Sequence, residues 1–380
     1  MDRLKVVIAP DSFKGSLAAD RVAAALATGW LSARPGDEVV RLPVADGGEG
    51  TLDVFAAAVP GARRRSVKVT GPDGDPDVRL VDAQWLALPA GTAVVELARG
   101  SGLPLLGARR DPLGAHTVGL GQLLAAAVAD PATRQIIVTL GGSASTDGGT
   151  GALAALGARF LDGAGAPLPP GGGELARLAA VDVDRLRPPP PGGVVCLTDV
   201  DAPLCGPSGA AAVFGPQKGA DSDDIGRLDD GLRRLAALLG GQPDASGAGA
   251  AGGTGYGLAA AWGARLVPGA LTVAEHAGLP AALADADLVI TGEGRFDATS
   301  LSGKVVGGVL RLAATRGDEG DRPVPVLLVA GQLGAPAPPG VEQALALATL
   351  AGGVEAAVAE PAHWLAVAGA RLAVTRTSKT

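Results

Sequence analysis

Five short turns in this 380-residue chain place carboxylates directly after apolar runs, most of them among glycines. They begin at Asp11-Ser12-Phe13-Lys14-Gly15, Asp46-Gly47-Gly48-Glu49-Gly50, Gly141-Gly142-Ser143 (running on to Asp147), Asp199-Val200-Asp201 and Glu293-Gly294-Arg295-Phe296-Asp297. Glycine lets backbone N–H groups approach a phosphate, and a helix N-terminus beyond adds favourable partial charge. Carboxylates in the same crevice can hold magnesium or accept a hydroxyl proton. Lys14, Arg295 and Lys304 supply positive charge for a carboxylate or a transferring phosphoryl group. The set suits phosphoryl transfer from a nucleotide to a small anionic acceptor. Taken singly, a Gly-Gly turn is a tight connection and a lone Asp is a helix cap. It is the repetition at five strand ends that favours a site.

Better-known signatures are missing. The P-loop pattern fails, because Lys304 is followed by Val305 and Ala298 stands where the first glycine is required. A literal GxGxxG at Gly247, Gly249 and Gly252 has no strand before it, so an NAD-dependent hydroxy-acid oxidoreductase is an alternative with poor context. His116, His276 and His363 are scattered and stand beside no nucleophile motif. A metabolite-binding protein without catalysis is a second alternative, disfavoured because a pure binder has no need of metal-holding carboxylates.

The elements that must position these turns read as α/β. Apolar runs at 4–9, 39–43, 135–140, 193–198, 287–291 and 324–329 suit strands buried on both faces of a mainly parallel sheet. Helical patterns lie between them at 18–31, 121–128, 225–239 and 305–316. Ser16 is the expected N-cap of the first helix, with Asp20 in its first turn. The glycine-rich stretch 240–257 reads as a loop and 375–380 as a frayed tail. In open α/β sheets ligands bind at the carboxyl ends of strands, where the acid-bearing turns fall. The length exceeds what one core usually serves, so two domains are expected. Aromatic residues are only 3% of the chain, so the cores must be aliphatic.

Net charge is −7, which argues against nucleic acid or an anionic membrane as partner. Cys196 and Cys205 have no metal-type spacing and suit a reducing, cytoplasmic setting. The apolar run at 4–9 is too short for a signal-peptide core, and no stretch reads as a membrane span.

At the same turns the chain resembles the class II bacterial glycerate kinases. The strings that carry this are VVIAPDSFKGSL (6–17), PVADGGEGT (43–51), RDPLGAHTVGLGQLL (110–124) and LGGSASTDGGTG (140–151). DVDAPLCGPSGAAAVFGPQKGA (199–220), GAGAAGGTGYGL (247–258) and LVITGEGRFDATSLSGKVVGGV (288–309) continue it. The chain departs from the family at Ala202, where an Asn is common, and around Ala115-His116-Thr117-Val118.

The resemblance implies ATP and D-glycerate as substrates with Mg2+, and 2-phosphoglycerate as product. Phosphorylation at the 3-position or of a related hydroxy-acid is the alternative. It also implies a discontinuous flavodoxin-like domain (1–65 plus 283–380), an inserted mixed α/β domain (66–282) and an active site in the cleft between. A monomer or homodimer is expected. Asp199, then Asp297, is expected to orient or deprotonate the hydroxyl, with Lys14 and Arg295 on the acid's carboxylate or the γ-phosphate. Asp11, Ser12 and Lys304 complete the expected substrate contacts, and Asp46, Glu49 and Glu293 the expected magnesium ligands. Gly141, Gly142, Ser143, Gly249, Gly252, Gly253 and Gly255 are expected to cradle the phosphates.

Overall fold

The computed structural model describes residues 3–13, 15–73, 79–301, 303–315 and 322–377. The chain divides into two compact units. The first comprises Met1–Asp46, Asp53–Pro60 and Pro268–Thr380, and the second Gly47–Leu52 and Gly61–Val267.

The first unit is built on β1 (Lys5–Ile8), β2 (Glu38–Arg41), β11 (Leu288–Phe296), β12 (Val326–Leu333) and β13 (Val341–Ala346), ordered β13-β12-β11-β1-β2. All four pairings are parallel, with Val6 opposite both Val39 and Leu288. Val6, Val7, Ile8, Leu288, Val289 and Ile290 are buried without gaps, as strands covered on both faces require. One cover is the helix Ala19–Ala33 with Pro361–Thr377, whose Leu26, Trp30, Leu365 and Leu372 pack on Val6, Ile8 and Val329. On the opposite face Val306, from the helix Val305–Thr315, packs with Phe296, Leu328 and Ala330. The chain runs outward from β1 to β2 on one side and returns on the other side through β11. The change of direction at the β1/β11 pair makes a crevice at their carboxyl ends.

The second unit holds β3 (Arg63–Thr70), β4 (Leu80–Ala87), β5 (Thr92–Glu96), β6 (Gln135–Thr139), β9 (Val194–Thr198) and β10 (Arg265–Pro268), ordered β10-β9-β6-β5-β4-β3. The β3/β4 and β4/β5 pairs are antiparallel, whereas β5/β6 and β6/β9 are parallel. A separate two-stranded ribbon joins β7 (Arg159–Leu161) to β8 (Ala180–Asp182). The helix Ser222–Leu239 starts in a reciprocal capping box: Asp221 accepts from the Asp223 and Asp224 amides, and Asp224 accepts from that of Asp221. It buries Leu228, Gly231, Leu232 and Leu235, one face at helical spacing.

Several local expectations are corrected. The first helix begins at Ala19 after Ala18, with no side-chain cap. Ser16 instead donates its hydroxyl to the Phe13 carbonyl, two residues short of the helix. Residues 250–257 belong to a helix, Ala250–Trp262, rather than to a loop. The glycines there are accommodated because Ala251, Gly252 and Gly253 take left-handed dihedrals that kink it. Thr375 and Arg376 lie within the last helix, held by the Thr375 hydroxyl on Gln343 and the Arg376–Glu342 ion pair.

Candidate active site

In the first unit the carboxyl ends of β1, β2, β11 and β12 bound one cavity of about 420 Å³. Asp11, Ser12, Asp46, Glu293, Arg295, Asp297 and Lys304 all line it. Parallel pairing brings these distant segments together: the Asp11 amide donates to the Gly292 carbonyl at 2.8 Å, and Val44 to Pro10 at 2.9 Å. Asp11, Asp46 and Glu293 are buried, at 7%, 4% and 7% exposure, so the site gathers three carboxylates largely out of water.

Two of the acids are set in opposite directions. Burial pushes the Glu293 carboxyl above its usual range, against a Ser300 hydrogen bond and the charge of Lys304, which pull it down. Its Oε1 is buried without a hydrogen-bond partner among the described residues. The neighbouring charges of Asp297 and Asp46 raise it further. Asp297 is held below the carboxylate range by hydrogen bonds from the Thr299 hydroxyl (2.7 Å) and amide (2.9 Å). Lys304 donates to the same Thr299 hydroxyl at 3.0 Å, which ties the cation to the acidic turn. Lys304 immediately precedes the helix Val305–Thr315, so its charge and the helix N-terminus add. Such a site attracts an anion through its cations, and its buried acids can hold a cation. Lys14 lies outside the described residues.

The other expected residues belong to the second unit. Gly142 is exposed with φ +75°, and a Cβ there would stand about 4 Å from the Glu49 carboxylate, so Glu49 flanks the 141–143 turn. Gly141 donates to the Gly47 carbonyl at 3.4 Å. Asp199 is half-buried just beyond the end of β9. The cluster Gly249, Gly252, Gly253 and Gly255 does not form an open cradle. A Cβ on Gly252 would overlap the Ser145 carbonyl, one on Gly249 the Pro203 carbonyl, and one on Gly255 would crowd the Gly247 carbonyl. Their missing side chains serve close backbone packing, and at Gly253 the Leu204 side chain fills the space instead.

Sequence reasoning passed over two buried polar residues of the second unit, Glu96 and Lys218, and took a third, Asp147, only as a member of an acid-bearing turn or a helix cap. Glu96, fully buried, accepts from the amides of Gly50 (3.2 Å) and Leu52 (2.9 Å) and clamps the acidic turn at 47–52. Its signal was present, since it ends an apolar run as the other acids do. Lys218 is 2% exposed and donates to the Ser145 carbonyl and the Thr146 hydroxyl; burial brings its ammonium down to about 8. Asp147 accepts from Thr117 N (2.9 Å), Thr117 Oγ1 (2.7 Å), Gly149 N (3.1 Å) and Gly151 N (3.2 Å). Burial lowers the imidazole of His116, near Asp147. Together these groups set the path of 143–151. Among the described residues no three His, Cys, Asp or Glu side chains are grouped to hold a metal ion. None of the described helices is long and apolar enough to cross a membrane.

Comparison with known proteins gives a consistent result. The model of the glycerate kinase family matches residues 6–377. A glycerate kinase of Bacillus subtilis (strain 168) is 44% identical over 341 residues, covering 87% of this chain and 85% of that protein. A glycerate 2-kinase of Escherichia coli (strain K12) is 43% identical over 318 residues, covering 82% of each. The crystal structure of a proposed glycerate kinase 2 from Salmonella typhimurium LT2 superposes with a TM-score of 0.81 at 37% identity, over 100% of this chain and 99% of that one.

Proposed function

This chain belongs to the glycerate kinase family, and from that premise we propose that it transfers the γ-phosphoryl group of ATP to D-glycerate, giving 2-phosphoglycerate. The observation that carries this reading is the cavity at the β1/β11 crevice, where buried carboxylates stand beside Arg295 and Lys304. The similarity to a glycerate 2-kinase supports the 2-position.

In-line transfer asks little covalent work of a protein, so these residues act by position and charge. Arg295 and Lys304 hold the acid's carboxylate or the phosphoryl oxygens, with Asp11 and Ser12 beside them. Asp297, held as the anion, orients those two cations rather than taking a proton. Glu293 and Asp46 would hold a magnesium ion: they share one cavity, and Glu293 Oε1 has no hydrogen-bond partner among the described residues. The metal would neutralise phosphate charge. Glu49 is proposed as a further residue that would hold the metal, and the 141–143 turn as a contact to phosphate. Asp199 is proposed to orient and deprotonate the glycerate hydroxyl. Asp199→Asn should lower kcat far more than it weakens nucleotide binding, measured by turnover and by ADP titration. Retained turnover would remove Asp199 from that role.

The direct test is ADP release from Mg-ATP with D-glycerate, L-glycerate, glycolate, lactate and tartronate, with products resolved by phosphorus NMR. Turnover on D-glycerate with phosphorus coupled to the single C2 proton supports the reading. Coupling to the C3 methylene would move the product to 3-phosphoglycerate, and turnover confined to another acid would change the substrate. No turnover from folded protein would overturn the reading.

A further inference from the structure

Phe13, Leu347, Val354, Ala357, Val358 and Pro361 line the same cavity as the charged residues of the first unit. This wall is not accounted for by a three-carbon hydroxy-acid, which is polar at every carbon. The volume of about 420 Å³ lies in the range of roughly 300–1,000 Å³ typical of sites for much larger ligands. Val354 and Val358 are one turn apart on the helix Val354–Ala359 and remain 45% and 55% exposed. A cavity that joins an apolar wall to a few convergent polar groups has the make-up of a small-ligand site.

We propose that this wall is the subsite for the heteroaromatic base of the nucleotide, so that the first unit seats the nucleoside. The proposal rests on the kinase reading above and deepens it. A nucleotide is the one reactant in that reaction with an apolar face at one end and a chain of anions at the other. The cavity offers both chemistries. Its aliphatic side chains match the faces of a purine, and Arg295 and Lys304 match the phosphates. Gln332 on β12 lines the cavity too and carries the donor and acceptor that a base edge can pair with. At Gly249, Gly252, Gly253 and Gly255, by contrast, the space beside each glycine is already taken by protein atoms.

The test uses the full-length protein with ADP and adenosine as probes. With valine and leucine methyl groups labelled, ADP should produce ring-current shifts at Val354, Val358 and Leu347, and adenosine at higher concentration should shift the same methyls. Val358→Trp fills the wall at an exposed position. It should raise KM for ATP at least tenfold, while KM for glycerate stays within twofold. Nucleotide-induced shifts confined to methyls of the second unit, or a rise in KM for glycerate alone, would overturn the proposal. Should the protein bind ADP at this wall yet phosphorylate no hydroxy-acid, the subsite would stand and the substrate assignment would fall. If glycerate is phosphorylated but ADP leaves these methyls unmoved, the reverse holds.

Discussion

At the scale of single residues, Glu293 combines a cost to the fold with the metal-holding role proposed for it. Its carboxyl titrates above the ordinary range because it is buried. The folded protein therefore holds that proton to higher pH than the unfolded chain does, and stability falls as pH rises through the raised value. Glu293→Gln should equal the natural protein in stability at acid pH and exceed it near neutrality, read from denaturant midpoints. The same change should lower kcat by about 100-fold, the order seen when one preorganised electrostatic group is removed, and should abolish the acid limb of its pH profile. Lys218 has the opposite slope. Its ammonium is brought from 10.5 to about 8, so the unfolded chain binds more protons between those values and stability rises with pH across that window. Relative to Lys218→Met, the natural protein should gain on the order of 3 kcal/mol between pH 8 and 10.5, and a flat difference would show that the ammonium is not buried in solution. The acids at strand ends were legible because type and position coincided. Lys218 was not, since an isolated lysine in a string of small residues reads as solvated, and only the fold buries it.

At the scale of elements, the apolar runs marked the central strands closely, and β1 and β6 fall within a residue or so of their expected limits. Strands β3 and β4 escaped notice because β3 opens with Arg63-Arg64-Arg65 and one face of β4 carries Leu80 and Asp82 to solvent, which blurs the apolar signal. The short run of β5 was passed over although its apolar signal is plain. The glycines of the first and last helices look like composition bias in the sequence, yet they govern a helix crossing. A Cβ on Gly29 would overlap the Ala366 carbonyl, and one on Gly369 the Leu26 carbonyl, so Ala19–Ala33 and Pro361–Thr377 approach with backbone against backbone. Gly29→Ala gains helix propensity of about 1 kcal/mol but must force the helices apart, a cost of roughly 1–3 kcal/mol or more. A net loss of stability in thermal unfolding is expected; a rise would show that the crossing yields. The site's acids were visible for their chemistry, whereas the cavity's apolar wall was not. Val354, Ala357 and Val358 sit in a short alanine-rich helix that nothing in the string connects to β1.

At the scale of the whole molecule, each unit carries its own core: Val6, Ile8, Trp30 and Leu365 in the first, Val95, Leu123, Val138 and Tyr256 in the second. Trp30 and Trp364 report on the first unit, Trp85 and Trp262 on the second. Unfolding followed with each pair in turn, the other pair replaced by Phe, should give midpoints that do not coincide, and ADP should raise that of the first unit more. Identical midpoints that move together would mean one cooperative unit. Length alone pointed to more than one core; the exchange of segments between units at 46–61 left no mark in composition.

The parallel pairing of β1 with β11 joins residues separated by 282 positions, as between Ala9 and Thr291. On the ribosome, at roughly 5–20 residues per second, β1 is made on the order of tens of seconds before its central neighbour exists. The second unit lies wholly within that interval and can close its core first. Meanwhile Val6-Val7-Ile8 can pair with β2 on one side but must travel with the edge that faces β11 open, a strand edge of the kind that chaperones bind and that aggregation begins from. The crevice at the β1/β11 pair is thus among the last features of the chain to form.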